Sequence, residues 1–582
     1  MSLTTFIVLL ALILSVSIAH EETSVDHDIR QALSTLHKVR SEKISCDLCE
    51  LGATLLDGYL ARNASIDEVI KGATDICITL KIELPDVCVG IMNAYAGIVY
   101  SVLILSNIKP IELCDKLKYC SAQDTAANNV QNGLFTSELD QIYGMASLVQ
   151  NSRRKTDYSK QQPKLSTPFT GTGYILQLTD IHFDPQYLEG SDPNCGKPLC
   201  CRNGTGDAGY FGHYLCDIPL RTVKLIFDGI LNVSKTMPIS FVAWTGDNPP
   251  HDVWMQSESK QISATQVLAE LVNTYFPSTP VFPSLGNHEA WPADQFILPK
   301  QQWLLDSLYE NWAPFLGADE LSSVKKAGYY TLLLQNGLRI ISLNTQDADM
   351  INFYNLLQES NMNIPNNQTD WFIDVLEQAE SNQEKVIILG HIPCTLKSAS
   401  NDQWCSIYRS IVERFSGIIS AQFYGHTHYD QLVVFSDTAT SSKPTGMNYV
   451  APSMTTYQNH EPGFRLYEYD FDNLQVTNYF QFHTNLSKAN ADGTLEFTLA
   501  YSAKELFSMS DLSNESWWTV ANQFKTNMTQ FNNYYQHIAN SPIVKPCDET
   551  CHMKWACEGI IVLGFVSDEY HKVMSLDEVN TI

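Results

Sequence analysis

Five short segments of this chain end in residue types that bind metal ions. The run Tyr174-Ile-Leu-Gln-Leu-Thr leads into Asp180-Ile-His182, and Ile239-Ser-Phe-Val-Ala-Trp-Thr into Gly246-Asp247. Val281-Phe-Pro-Ser-Leu leads into Gly286-Asn287-His288-Glu289, Val386-Ile-Ile-Leu into Gly390-His391, and Ala421-Gln-Phe-Tyr into Gly425-His426-Thr427-His428. Imidazole and carboxylate together suit zinc and other borderline divalent ions, whereas calcium takes oxygen alone. Asp-x-His and His-x-His set two donors two residues apart, able to serve one ion or two neighbours. Two ions about 3.5–4 Å apart need a bridging ligand, and a carboxylate is the natural one. Six of the 15 histidines lie in or beside these segments. His288, directly after Asn287, and His251, four residues after Asp247, are candidates to give a leaving group its proton.

The elements that must position these residues follow from the apolar runs. Such runs read as buried strands, and ligands of an α/β sheet gather beyond the strands' C-terminal ends. Glycine before several of the polar residues permits a sharp turn. From Gly173 on, apolar runs alternate with helical stretches, giving an α/β domain over 171–478. After Asn478 the alternation fades into aromatic-rich helical segments such as Trp517 to Tyr535, so 479–582 is expected to be a helical C-terminal region. Upstream, six cysteines (Cys46, Cys49, Cys77, Cys88, Cys114, Cys120) are interleaved with helical patterns such as Leu51/Leu55/Leu56/Leu60 and Ile98/Val102/Leu103. These predict a separate all-α domain over 42–124. Residues 125–170 read as a linker, with one helix around Ser137 to Val149.

The N-terminus and composition speak to compartment and partners. Phe6 to Ile18 is almost wholly apolar, and small residues precede a cleavage point after Ala19, so residues 1–19 read as a secretory signal peptide. Asn-x-Ser/Thr sequons at Asn63, Asn203, Asn232, Asn367, Asn485, Asn514 and Asn527 and a total of 15 cysteines agree with export into an oxidising compartment. A net charge of -27 argues against nucleic acid as partner. It is compatible with an acidic site of action, where many carboxylates lose their charge. A secreted or lysosomal, monomeric protein is the expectation.

The motif order Asp-x-His, Gly-Asp, Gly-Asn-His-Glu, Gly-His, Gly-His-x-His resembles that of the calcineurin-like metallophosphoesterases. That resemblance implies a β-sandwich flanked by helices, with one ion held by Asp180, His182, Asp247 and His428. It implies a second ion held by Asp247, Asn287, His391 and His426, and in-line attack on phosphorus by a hydroxide shared between two zinc ions. Gly246-Asp-Asn-Pro-Pro-His251-Asp-Val-Trp254 and Ala451-Pro-Ser-Met-Thr-Thr-Tyr457, followed by Pro462-Gly-Phe-Arg465, are similar to the acid sphingomyelinase family. This narrower resemblance implies hydrolysis of sphingomyelin to ceramide and phosphocholine, with nucleotides or other soluble phosphodiesters as the alternative substrates. It places Tyr457 near the substrate and pairs Cys195 with Cys200, Cys201 with Cys216, Cys394 with Cys405 and Cys547 with Cys551, leaving Cys557 without a partner. The upstream cysteine pattern resembles a saposin B-type domain. That implies lipid binding, peripheral membrane contact, and the nested pairs Cys46–Cys120, Cys49–Cys114 and Cys77–Cys88.

Overall fold

The computed structural model describes residues 43–117 and 156–552, with short stretches at 80, 107, 163, 358–366, 396–399, 438–441, 539, 541–546 and 550 left aside. The expected signal peptide, the Ser137–Val149 helix and Cys557 lie outside the described residues. The chain divides into two compact units. In the smaller, α1 (Lys43–Ala61), α2 (Ile66–Thr79), α3 (Pro85–Ile91), α4 (Gly97–Ser106) and α5 (Pro110–Lys116) form a helical unit. Ser65 opens α2 with a reciprocal cap: its hydroxyl accepts from Glu68 N, and Glu68 accepts from Ser65 N. Disulfides Cys49–Cys114 and Cys77–Cys88 tie α1 to α5 and α2 to α3. Cys120, the expected partner of Cys46, lies outside the described residues. Leu56, Val69, Ile76, Val102 and Leu103 are buried, so the apolar stripes close on one another here. One turn of wider helix, Met92–Ala96, joins α3 to α4, and the continuous run Pro85–Ser106 is long and apolar enough to cross a bilayer by composition alone. Just over half of it is buried within the unit, as a core helix would be.

The larger unit is built on two six-stranded mixed sheets. In the first, the order is β12 (Thr498–Ser502), β11 (Gln475–His483), β10 (Gly463–Asp470), β1 (Thr172–Leu178), β2 (Ile239–Trp244), β3 (Val281–Pro283). β1, β2 and β3 run parallel, while β10 joins β1 antiparallel. In the second the order is β4 (Tyr330–Gln335), β5 (Leu338–Ser342), β6 (Lys385–Leu389), β7 (Ile419–Tyr424), β9 (Pro444–Val450), β8 (Gln431–Ser436). β5, β6, β7 and β9 are parallel. The near-continuous apolar character of the parallel strands reflects burial on both faces. Between the sheets Phe423 of β7 meets Tyr467 of β10 with ring centres 4.3 Å apart. Outside, α6 (Leu220–Val233) buries Val223, Ile226, Phe227 and Ile230, spaced along one helical face. The next helix, α7 (Glu258–Tyr275), is capped by the Ser257 hydroxyl accepting from Lys260 N.

The boundary expected at 478 needs correction. It falls inside β11, which pairs with β10 along its length and carries β12 beyond it. The alternation fades in the sequence because buried polar side chains, Asn478 and Gln481, interrupt it; Gln481 Oε1 accepts from Arg465 Nε at 2.9 Å. The expected helices do follow, α8 (Leu486–Asp492) ahead of β12, then α9 (Ala503–Phe507), α10 (Asn514–Phe524) and α11 (Met528–Ile538). They belong to the same core: Trp517 is buried and its Nε1 donates to Tyr449 OH of β9 at 3.1 Å. Trp517, Phe524, Phe531 and Tyr534 are each essentially inaccessible. At roughly 1.5–3 kcal/mol of burial apiece, their loss together approaches the roughly 5–15 kcal/mol that holds a domain folded. A chain ending at residue 478 retains all seven expected metal ligands, yet it is expected to be insoluble or molten. Circular dichroism and thermal melting of that truncation check this; a cooperative melt near that of the full chain would contradict it.

Candidate metal centre

The parallel strands β1, β2, β3, β6 and β7 all deliver their C-terminal ends to one region, because parallel neighbours in register must end together. Backbone bonds join the loops beyond them: Asp180 N donates to Gly246 O, His182 N to Asp247 O, and Gly425 N to His391 O. The turns are tight enough to force unusual backbone. Asp180, His182, Asp247, His426 and His428 have φ of 49°, 41°, 60°, 71° and 63°, the left-handed region that non-glycine residues avoid. Each such residue costs roughly 1–3 kcal/mol, and such strain clusters where function holds it. Glycines supply the closest approaches. A Cβ on Gly286 would lie 2.2 Å from Asp247 Oδ1 and 2.5 Å from Asp247 N.

Four side chains from the first sheet and three from the second meet there. Asp247 Oδ2 lies 3.4 Å from His182 Nε2 and 3.1 Å from His391 Nε2, standing between the two histidines. Asp180 Oδ1 is 3.5 Å from His428 Nε2, which faces His182 Nε2 at 3.2 Å. Asn287 Oδ1 faces His426 Nδ1 at 2.8 Å. Asn287 Nδ2 donates to Asp294 Oδ1 at 2.6 Å, fixing which end of the amide looks into the site. Three sets of donor atoms converge closely enough to share an ion: Asp180/His182/Asp247, Asp247/His391/His426, and His182/His251/His428. A further grouping, Cys201/His213/Cys216, offers no thiolate, because Cys201 and Cys216 are joined in a disulfide.

Backbone carbonyls decide the tautomers. His182 Nδ1 is 2.7 Å from Pro249 O, and His391 Nδ1 is 2.6 Å from Thr245 O. A carbonyl only accepts, so both Nδ1 atoms carry hydrogen, and in the neutral ring each Nε2 presents a lone pair to a carboxylate. Lone pairs aimed at carboxylate oxygens in a buried site repel unless positive charge lies between them. The electrostatics of the site make the same demand. Burial pushes the Asp180 carboxyl up to about 6, and Glu289 and Asp294 up to about 7. For His391 burial pulls the other way, but Asp247 and Asp180 overcome it and hold the imidazole up to about 10.

The two expected proton donors flank this cluster. The His251 ring lies 4.0 Å from His182 and 4.8 Å from His288, centre to centre. Its Nδ1 is 2.9 Å from Asp217 Oδ1, and its backbone N donates to Asp217 Oδ2 at 2.7 Å. Burial works against a charge on His251, yet the Asp217 carboxylate outweighs it and raises the ring above the usual imidazole range. His288 differs: burial drives it down to about 4, with only partial opposition from Asp247. The Tyr457 ring lies tilted against that of His251, centres 4.4 Å apart, and its hydroxyl donates to Pro198 O, so it buttresses the imidazole.

Sequence reasoning passed over Asp217, Asp294 and the role of Glu289. Glu289 accepts from Gly286 N, Asp247 N and Asn248 N, pinning the loop that carries Asp247. Its place in Gly-Asn-His-Glu was visible; Asp217 and Asp294 sit in no motif that could have marked them. Disulfides Cys195–Cys200, Cys201–Cys216, Cys394–Cys405 and Cys547–Cys551 are formed. Cys394–Cys405 anchors the loop that begins at His391.

Comparison with known proteins agrees with this geometry. Residues 173–430 match the calcineurin-like phosphoesterase family, and residues 443–575 match the acid sphingomyelin phosphodiesterase C-terminal region. Sphingomyelin phosphodiesterase A of Dictyostelium discoideum is 50% identical over 97% of this chain and 98% of its own length. The chain belongs to the sphingomyelin phosphodiesterase family. The Homo sapiens sphingomyelin phosphodiesterase is 32% identical over 88% of this chain and 80% of its own. The Bos taurus cyclic GMP-AMP phosphodiesterase SMPDL3A is 33% identical over 63% of this chain and 83% of its own. As in other members of a phosphoesterase family, the site is one for two divalent ions, and the opposed lone pairs and crowded buried carboxylates fit them. Gly286→Ala is expected to reduce bound metal as strongly as Asp247→Ala does, because the added carbon displaces Asp247. Elemental analysis of the purified variants checks this; two ions per chain in Gly286→Ala would contradict it.

Proposed function

We propose that this family member hydrolyses sphingomyelin to ceramide and phosphocholine, using two zinc ions, in an extracellular or lysosomal compartment. The observation that carries the reading is the Dictyostelium relative named for sphingomyelin, aligned over nearly the whole of both chains. The first ion is assigned to Asp180, His182, Asp247 and His428, the second to Asp247, Asn287, His391 and His426, with Asp247 shared. Four imidazoles among seven ligands favour zinc over magnesium or calcium. When bound, the two ions supply a nucleophile at working pH and offset charge building on the phosphoryl oxygens.

The chain's own residues do the rest. One water is consumed as the bond between phosphorus and the ceramide oxygen breaks, and that oxygen leaves as a poor alkoxide unless protonated. His251 is assigned as the donor. Asp217 holds its Nδ1, which leaves Nε2 to give the proton, and the same carboxylate favours the charged ring. His288, held neutral, is assigned to contact a phosphoryl oxygen. Asp217→Asn is therefore expected to slow a lipid substrate about 100-fold while sparing an ester with a nitrophenolate leaving group, general-acid help being worth roughly 100–10,000-fold. Activity that needs protonated His251 is present below its pKa and lost above it. Removing Asp217 lowers that pKa, so the alkaline limb of kcat/KM should move to lower pH. Equal losses on both substrates would reassign His251 to phosphate contact.

Access to a bilayer is assigned to the helical unit, as a saposin-like, lipid-contacting domain of a monomeric protein. Its nested cysteine order supports this, as do the apolar Ile104 and Leu105, 53% and 71% exposed in α4 beside the buried Val102 and Leu103. Export is supported by the apolar N-terminal run and by the sequons, six of which are exposed; Asn514 is half-buried. Leu105→Asp is expected to lower turnover of sphingomyelin liposomes severalfold and leave hydrolysis of a soluble phosphodiester unchanged. The relative named for a cyclic dinucleotide supports a second reading, in which soluble nucleotides are the substrate. Undiminished liposome activity in Leu105→Asp, with faster turnover of cyclic dinucleotide than of sphingomyelin, would favour it.

A further inference from the structure

Gln177 of β1 is an amide in the middle of the sandwich core, 2% exposed. An apolar side chain would be the cheaper occupant, since a buried amide costs stability unless its polar atoms are bonded. Gln177 has its bonds, and they reach three strands. Its Oε1 accepts from Tyr467 OH of β10 at 2.8 Å. Its Nε2 donates to Tyr424 O, the last residue of β7, at 2.8 Å, and to Thr245 Oγ1, just beyond β2, at 3.1 Å.

Those acceptors stand where the metal loops begin. Thr245 is two residues before Asp247, and its carbonyl accepts from His391 Nδ1. Tyr424 is two residues before His426, and Gln177 itself is three before Asp180. One side chain thus binds the roots of the Asp180, Asp247 and His426/His428 loops, drawn from both sheets. The separation between the two sheets' ligands is what a two-ion site can least afford to have wrong.

We infer that Gln177 is a positioning residue: with Tyr467 holding its amide, it sets the spacing between the two sheets' metal ligands. This rests on the two-ion reading above. Partners one step behind a ligand are typically worth about 10–100-fold in metal affinity or activity, and Gln177 acts one step further back.

The test is cobalt titration of the metal-stripped full chain, followed by visible absorption, beside kinetics on a soluble nitrophenyl phosphodiester. Wild type, Gln177→Met, Tyr467→Phe and the double variant are compared. Two cobalt ions in wild type check the underlying reading independently; failure there would sink that reading and this inference with it. Given two ions in wild type, Gln177→Met is expected to weaken the second cobalt about 10-fold, alter the absorption bands, and lower kcat about 10-fold at constant KM. Tyr467→Phe should do the same to a smaller degree. The double variant should lose no more than Gln177→Met, because both act through one amide. Should Gln177→Met not fold, Tyr467→Phe carries the test alone. Wild-type bands and kcat in the variants, or additive losses that track only melting temperature, would overturn the inference.

Discussion

Imidazole nitrogens and carboxylate oxygens are aimed at one another across the gap between two sheets, an arrangement that needs positive charge between them, a proton or a metal ion. Pro249 and Thr245 carbonyls hold His182 and His391 in the tautomers that create the conflict. Asp247 stands between them with the same oxygen. Only positive charge resolves the arrangement. The left-handed backbone at five of the seven expected ligands, the glycine at 286 and the three backbone amides pinned by Glu289 are the means by which the fold sustains it. Asp180, His182, Asp247 and Asn287 follow strands of one sheet and His391, His426 and His428 strands of the other, so under the proposed assignment each ion would fasten the two sheets together.

The convergence of these seven side chains was legible because each follows an apolar run, and strand ends are where a parallel sheet gathers its chemistry. Position in sequence and position in space coincide there. They do not coincide for Asp217, which reaches His251 from a loop 34 residues earlier and lies beside Cys216 with nothing around it to mark an acid of special use. Asp294 is similar: its role depends on the amide of Asn287, a contact that no spacing announces. The domain limit at 478 was misplaced for a different reason. Buried polar side chains in β11 hide the alternation that identifies a strand, Gln481 among them, where its Oε1 accepts from the buried Arg465.

In the helical unit, the apolar stripes at helical spacing were legible but their partner was not. Val102 and Leu103 face inward, while Ile104 and Leu105, next in sequence, face out. A helix apolar all round can meet a protein core on one side and something else apolar on the other. Sequence periodicity cannot distinguish those sides when no polar residue separates them.

The position of β10 in the first sheet bears on the biosynthesis of this chain. β1 lies between β2 and β10, so the strand that leads to the first ligand lacks one neighbour until the chain has been made past residue 470. Contacts so distant along the chain form slowly, since a long loop must close before they are rewarded. The ribosome therefore releases nearly the whole catalytic unit before its first sheet can be completed. All seven expected ligands, the last of them His428, are therefore made before the sheet that positions the first of them can close.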